Sequence, residues 1–131
     1  DEYNRNTEKK LQRIIFACDE IAEVLDKTGL TKQQKDEILK IESELSVIAR
    51  QGRAFGIHLV LATQRPDAGI LNGQIRNNID TRICGRADNV LSQIILDNTD
   101  AADLIAKSSQ GRFLTNSGKI FQAYWFDENI L

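Results

Sequence analysis

The stretch that most restricts the fold is "IHLVLAT", residues 57–63. It is almost continuously apolar and rich in β-branched and leucine side chains. It is also too short for a packed helix. A strand with this pattern is covered on both faces, which is the situation inside a parallel sheet and not at the surface of a hairpin. A second run, "RIIFAC" at 13–18, predicts another short buried strand. Between the two lies Gln33 to Arg53, where Ile38, Ile41, Leu45 and Ile48 recur at helical spacing. Thr31 stands at the N-cap position, and Gly52 and Gly56 bracket the exit.

The rest of the chain continues the alternation. "QRPDAG", with the only proline at Pro66, ends the second strand, and a short helix is predicted around 70–77. "DTRICGR" at 80–86 predicts a third strand, and "NVLSQIIL" at 89–96 and "AADLIAK" at 101–107 predict short helices. "GRFLT" at 111–115 and "KIFQAYWF" at 119–126 flank "NSG", a hairpin signal. The order β-α-β-α-β-α-α-β-β predicts an α/β fold, a mainly parallel sheet with flanking helices and a hairpin at its edge. Residues 1–11 form a polar lead-in.

At 131 residues, with 41% hydrophobic and 27% charged side chains, the chain has the composition of one packed domain and not of a disordered segment. Its net charge of −2 gives no general electrostatic grip on nucleic acid, so any such grip is local. Cys18 and Cys84 sit in apolar runs without a Cys or His partner at ligand spacing, which reads as reduced core thiols. His58, the sole histidine, lies inside the apolar strand and reads as a core residue. Trp125 and Phe126 read as packing residues rather than base-stacking ones.

Two strand ends are polar where an apolar run stops: Asp19-Glu20 and Thr63-Gln64. In parallel α/β sheets ligands bind at the carboxyl ends of the strands. An Asp there suits the water shell of Mg²⁺, an adjacent Glu suits polarisation of an attacking water, and a Gln next door suits a hydrogen bond to that water or to a terminal phosphate. The bland alternative is a strand surfacing into solvent. A phosphate cradle of the form G-x-x-x-x-G-K-[ST] does not occur: the only Gly-Lys, Gly118-Lys119, is followed by Ile120 and lies in the hairpin turn.

Taken together, "DEIAEVLD", "RQGRAFGIHLVLATQRPD" (50–67), "IRNNIDTRICGRADN" (75–89) and "QIILDNTDAADLI" (93–105) resemble the FtsK/SpoIIIE family of DNA-pumping ATPases, from about Arg13 to Phe126. The resemblance implies a RecA-like P-loop NTPase fold, present in part, with residues 1–131 as the C-terminal portion of one motor domain and the Walker A half before Asp1. It implies ATP and Mg²⁺ as cofactors and double-stranded DNA as the substrate of a homo-hexamer. The motor would act at the cytoplasmic face of a bacterial membrane, attached through segments outside this chain. By the same resemblance Asp19 matches the Mg²⁺-associated acid, through water, and Glu20 the catalytic base. Gln64 matches the polar sensor, with Thr63 beside the nucleotide. An arginine acts across the subunit interface; of Arg50, Arg53, Arg82 and Arg86, Arg82 is favoured, and Arg53 is read as a brace between helix and sheet. The segment "KTGLTKQQKDEILKIESE" is more charged than in chromosomal pumps. Its Lys27, Lys32 and Lys35 are either DNA contacts in a pore or a solvated helix start. Within the 131 residues no winged-helix segment is read, an expectation that fits either a conjugative or mobile-element role or a sequence cut short of that segment. The alternatives are a protein-secretion ATPase with the same strand ends and a non-catalytic assembly module. Without a phosphate cradle the 131 residues alone are expected to be inactive.

Overall fold

The computed structural model describes residues 2–8, 10–64, 69, 71 and 73–124. Pro66, the start of the helix expected at 70–77, and Trp125 and Phe126 lie outside the described residues. The chain divides into two compact units, residues 1–79 and 80–131.

The first unit begins with a helical turn, α1 (Glu2–Asn6), inside the expected lead-in. The Asn4 side chain closes the segment behind it: Nδ2 donates to the Leu11 carbonyl at 2.9 Å and Oδ1 accepts from the Leu11 N–H at 2.8 Å. Then follow β1 (Ile14–Cys18), the short helix α2 (Ile21–Leu25), the long helix α3 (Lys32–Gln51), a 3-10 turn (Gly52–Phe55), β2 (Ile57–Leu61) and α4 (Gly73–Asn77). β1 and β2 pair in parallel from Ile14 opposite Ile57 to Cys18 opposite Leu61. A parallel pair needs a long crossover, and α2, α3 and the 3-10 turn supply it.

α3 starts where the sequence indicates. Thr31 Oγ1 accepts from the Gln34 N–H, and the Gln34 side chain accepts from the Thr31 N–H, a full capping box. At its exit Gly56 takes φ 74°, a left-handed conformation that glycine adopts without steric cost. Gly52 is fixed by space: a Cβ there would meet the Ile57 carbonyl oxygen at 2.9 Å. The buried face of α3 is rotated from the expected stripe. Leu45 is buried, as expected, but Ile41 is exposed while Glu42 and Ser46 are buried. Both polar residues are satisfied in place. Glu42 accepts from Lys27 Nζ at 2.8 Å, and the Ser46 hydroxyl donates to the Glu42 carbonyl at 2.7 Å.

The core of this unit is Ile21, Leu25, Leu45, Leu71 and Ile75, with Cys18, Ile38, Leu59, Leu61 and Ile79 packed on it. It gathers at the carboxyl ends of β1 and β2. The opposite end of β1 is uncovered, so the expectation that 13–18 is buried does not hold: Ile15 is 69% exposed, and Ile14 and Phe16 are exposed too, and the expectation that β2 is covered on both faces fails at Val60, which is exposed. The physical reason is local. Among the described residues β1 has a hydrogen-bonded neighbour on one edge only, and no apolar cluster reaches its first three residues. His58 is half-buried in β2 opposite Ile15.

The second unit runs β3 (Ile83–Cys84), α5 (Asn89–Leu96), α6 (Asp100–Leu104), β4 (Arg112–Thr115) and β5 (Ile120–Gln122). These strands form a three-stranded antiparallel sheet in the order β3-β4-β5. Parallel pairing among the described residues is thus confined to β1–β2, and the hairpin expected at the sheet edge joins the third strand instead. The turn is set by Gly118 at φ 81°. Cys84, Leu96, Ala101, Ile105 and Leu114 make the core, and Phe113 stacks on Phe121 with centroids 5.6 Å apart. Asp88 caps α5, its Oδ1 accepting from the Leu91 N–H at 2.8 Å. Fully buried Ser92 joins the two helices: its hydroxyl donates to the Asn98 carbonyl at 2.8 Å and accepts from the Ala101 N–H at 3.1 Å.

Candidate active site

The ends of β1 and β2 are tied beyond the last paired residues. The Ala62 N–H donates to the Cys18 carbonyl at 2.8 Å, and the Ile21 N–H donates to the Ala62 carbonyl at 2.9 Å. This continuation carries the Asp19-Glu20 step and the Thr63-Gln64 step to the same end of the pair. Sequence reasoning placed all four residues at strand ends, and the structure brings the two ends together.

Glu20 joins them directly. Its Oε2 accepts from the Gln64 N–H at 2.8 Å, across 44 residues of chain. Its Oε1 accepts from the Ala22 N–H at 3.2 Å, so the same carboxylate caps α2. A carboxylate fits here because the N-terminus of a helix presents unpaired N–H groups and a partial positive charge. Glu20 is half-buried; Asp19 beside it is exposed and makes no hydrogen bond or ion pair among the described residues. Thr63 is half-buried and Gln64 exposed.

Mg²⁺ bound with a nucleotide keeps several waters and takes one or two carboxylates plus phosphate oxygens, not an all-protein cage. Unpaired, exposed Asp19 fits that requirement. No group of three or more His, Cys, Asp or Glu side chains able to hold a metal occurs among the described residues.

Arg82 belongs to the second unit, where its Nη2 contacts Asp97 Oδ2 at 2.7 Å and its side chain is 18% exposed. Arg86 Nη1 donates to the carbonyls of Ala87 at 2.7 Å and Ala102 at 2.8 Å. Arg50 and Arg53 are exposed and line an open depression with Gln51, Ala54 and Phe55. Lys27 is engaged by Glu42 at 2.8 Å, while Lys32 and Lys35 are exposed in the first turns of α3. Both cysteines are free thiols, and burial pushes the Cys84 thiol up from its ordinary pKa.

Sequence reasoning missed the double use of Glu20 as cap and crossbar, because Glu is not among the residues that usually mark an N-cap. It also missed the Arg82–Asp97 pair and the fit of Asn116. The Asn116 Oδ1 accepts from the Arg82 N–H and its N–H donates to the Arg82 carbonyl, while Nδ2 donates to the Asp80 carbonyl. "TNSGK" signals a turn, and nothing in its spacing shows what the Asn side chain reaches.

The chain is 33% identical over 127 residues, 94% of its length, to DNA translocase FtsK of Haemophilus influenzae, and 35% identical over 115 residues to DNA translocase FtsK of Leptospira interrogans. The chain belongs to the FtsK/SpoIIIE family. It spans 22% and 11% of the length of those two FtsK proteins. No family model matches it. Among solved structures it is similar to the pCW3 conjugation coupling protein TcpA, in its monomer form with ATPgS, at 43% identity and a TM-score of 0.88 over 98% of this chain and 37% of that one. The cytoplasmic domain of the Thermomonospora curvata type VII secretion ATPase EccC superposes with a TM-score of 0.71 at 22% identity over 98% of this chain and 15% of that one, a likeness of fold. The FtsK-type chain therefore has the α/β architecture of P-loop ATPases. Among the described residues no helix is long and apolar enough to cross a membrane.

Proposed function

We propose that these residues are the C-terminal portion of one motor domain of an ATP-driven, double-stranded-DNA translocase, and that they supply its hydrolytic strand ends. The observation that carries this is the 2.8 Å bond between Glu20 Oε2 and the Gln64 N–H, which sets an acidic pair and a polar pair at one end of two parallel strands. In this reading Asp19 holds a water of Mg²⁺, which supplies charge neutralisation at the phosphates when bound. Glu20 accepts a proton from the attacking water. Thr63 and Gln64 face the nucleotide, with Gln64 orienting that water or the terminal phosphate. Arg82 acts on the nucleotide of a neighbouring copy in a homo-hexamer. The motor works at the cytoplasmic face of a bacterial membrane, attached through other segments of the protein.

The phosphate cradle comes from residues outside the 131. The exposed apolar start of β1 supports this, since Ile14 and Phe16 on one face and Ile15 on the other are apolar area that a larger motor domain would cover. Residues 1–131 alone are accordingly inactive as an ATPase. For DNA, Lys32 and Lys35 are the available lysines and Lys27 the constrained one, because its ammonium already neutralises Glu42. A conjugative role is favoured by the 43% identity to a conjugation coupling protein, against 33–35% to the FtsK translocases cited above.

The test is ATP hydrolysis by the full-length protein, with and without double-stranded DNA, for the wild type and Glu20→Gln. The substitution keeps one acceptor oxygen for the cap or the crossbar and removes the base. Stimulation by DNA together with loss of turnover on the order of a hundredfold or more in the variant supports the reading. Turnover that needs Glu20 but ignores DNA moves the assignment to a protein-secretion motor. No Glu20-dependent turnover makes the domain an assembly module.

A further inference from the structure

The ion pair at Arg82 is unequal. Nη2 meets Asp97 at 2.7 Å, but Nε and Nη1 are buried and have no acceptor among the described residues. A buried guanidinium N–H without a partner is costly, and a native protein that keeps two of them has a use for the group or a second place to put it. The acceptor side of the pair is also compromised. Asp97 is 56% exposed, so its half of the contact is screened by water. It sits at the C-cap of α5 with φ 62°, the only non-glycine with positive φ among the described residues. The backbone of Arg82, by contrast, is held firmly: Asn116 takes its N–H at 3.1 Å and gives its own N–H to its carbonyl at 3.0 Å. The Cα is anchored while the side chain rests in a contact that satisfies one of its three nitrogens.

We propose that Asp97 is a latch: it holds Arg82 in reserve, and Arg82 leaves it for the phosphate oxygens of a nucleotide on a neighbouring copy. This rests on the reading above that Arg82 acts across the interface. Phosphate presents several acceptors in the planar geometry that a guanidinium matches, so the exchange satisfies donors that the resting pair leaves orphaned. Asp97 is then a positioning residue that sets how often Arg82 is available, and the hairpin residue Asn116 fixes the pivot.

The variant that isolates the latch is Asp97→Asn in the full-length protein. Asparagine tolerates the left-handed conformation, so the α5 cap stays while the charge goes. DNA-stimulated turnover is expected to rise about two- to fivefold, the range an exposed ion pair's strength allows. The rise should vanish in the Arg82→Gln background, and Asp97→Glu should return turnover toward the wild type. A merely structural pair would instead lower turnover together with melting temperature. Folded Asp97→Asn protein with unchanged or reduced turnover overturns the latch while leaving Arg82 as the trans group. Arg82→Gln with full activity overturns both, because the arginine then has no part in hydrolysis.

Discussion

At the residue scale the polar groups of the core are placed to be satisfied, and the costs of removing them differ. Glu42 is almost fully buried against Lys27, whose side chain is 27% exposed. Lys27→Met leaves a buried carboxylate without its cation, whereas Glu42→Gln leaves an ammonium that can reach water. The first should cost about 1–3 kcal/mol and the second less, read from denaturant midpoints of the folded protein. Thr31→Ala removes the hydroxyl half of the α3 capping box and should cost about 1 kcal/mol in the same measurement. The two thiols should also separate. Cys84 is buried with its pKa raised, and Cys18 is half-buried, so a thiol reagent should label Cys18 first. The sign follows from linkage. A thiol whose folded pKa lies above its unfolded value stabilises the protein below the unfolded pKa, and that contribution is lost as pH rises through the folded pKa. Cys84→Ala should therefore flatten part of the alkaline loss of stability, visible in melting temperatures taken from pH 8 upward.

At the element scale, legibility in the sequence follows how local the cause is. α5 begins and ends where its pattern says, and α3 is capped at Thr31 because a capping box is written in four consecutive residues. The strand ends at Asp19-Glu20 and Thr63-Gln64 were legible because polar residues follow an apolar run. What failed depended on partners far along the chain. Ile41 has helical spacing with Leu45, yet the face turns toward Glu42 because Lys27, fifteen residues away, neutralises it. α2 is missed because five residues leave too little periodicity to count. The length of β3 and its antiparallel partner depend on Asn116, thirty-four residues beyond Arg82. Asn116→Ala should thus raise amide exchange around residues 80–84 more than around β1 and β2, by mass spectrometry of the exchanged protein.

At the scale of the whole molecule, the two units differ in what they leave exposed. In the first, three consecutive apolar residues of β1 are exposed at one end, while the core packs at the other, next to the strand ends proposed to carry chemistry. A protein consisting of residues 1–131 should bind a hydrophobic dye and self-associate at rising concentration. Substituting Ile15 by Thr, which keeps the strand propensity, should reduce both without changing the circular dichroism. Unaltered dye binding in that variant would place the sticky surface elsewhere. The likeness to TcpA over 98% of the chain means that this architecture occurs within a larger nucleotide-bound protein.

The Glu20 crossbar ties a proposed chemical role to scaffolding in a way that constrains tinkering. One carboxylate closes a helix, staples two strand ends and stands beside Asp19, which is unpaired among the described residues. Shortening it to Asp would withdraw the proposed base and the rivet together, because the shorter side chain reaches neither the Gln64 N–H nor the water. Whatever its part in turnover, an intact Glu20 is therefore a signature of retained architecture.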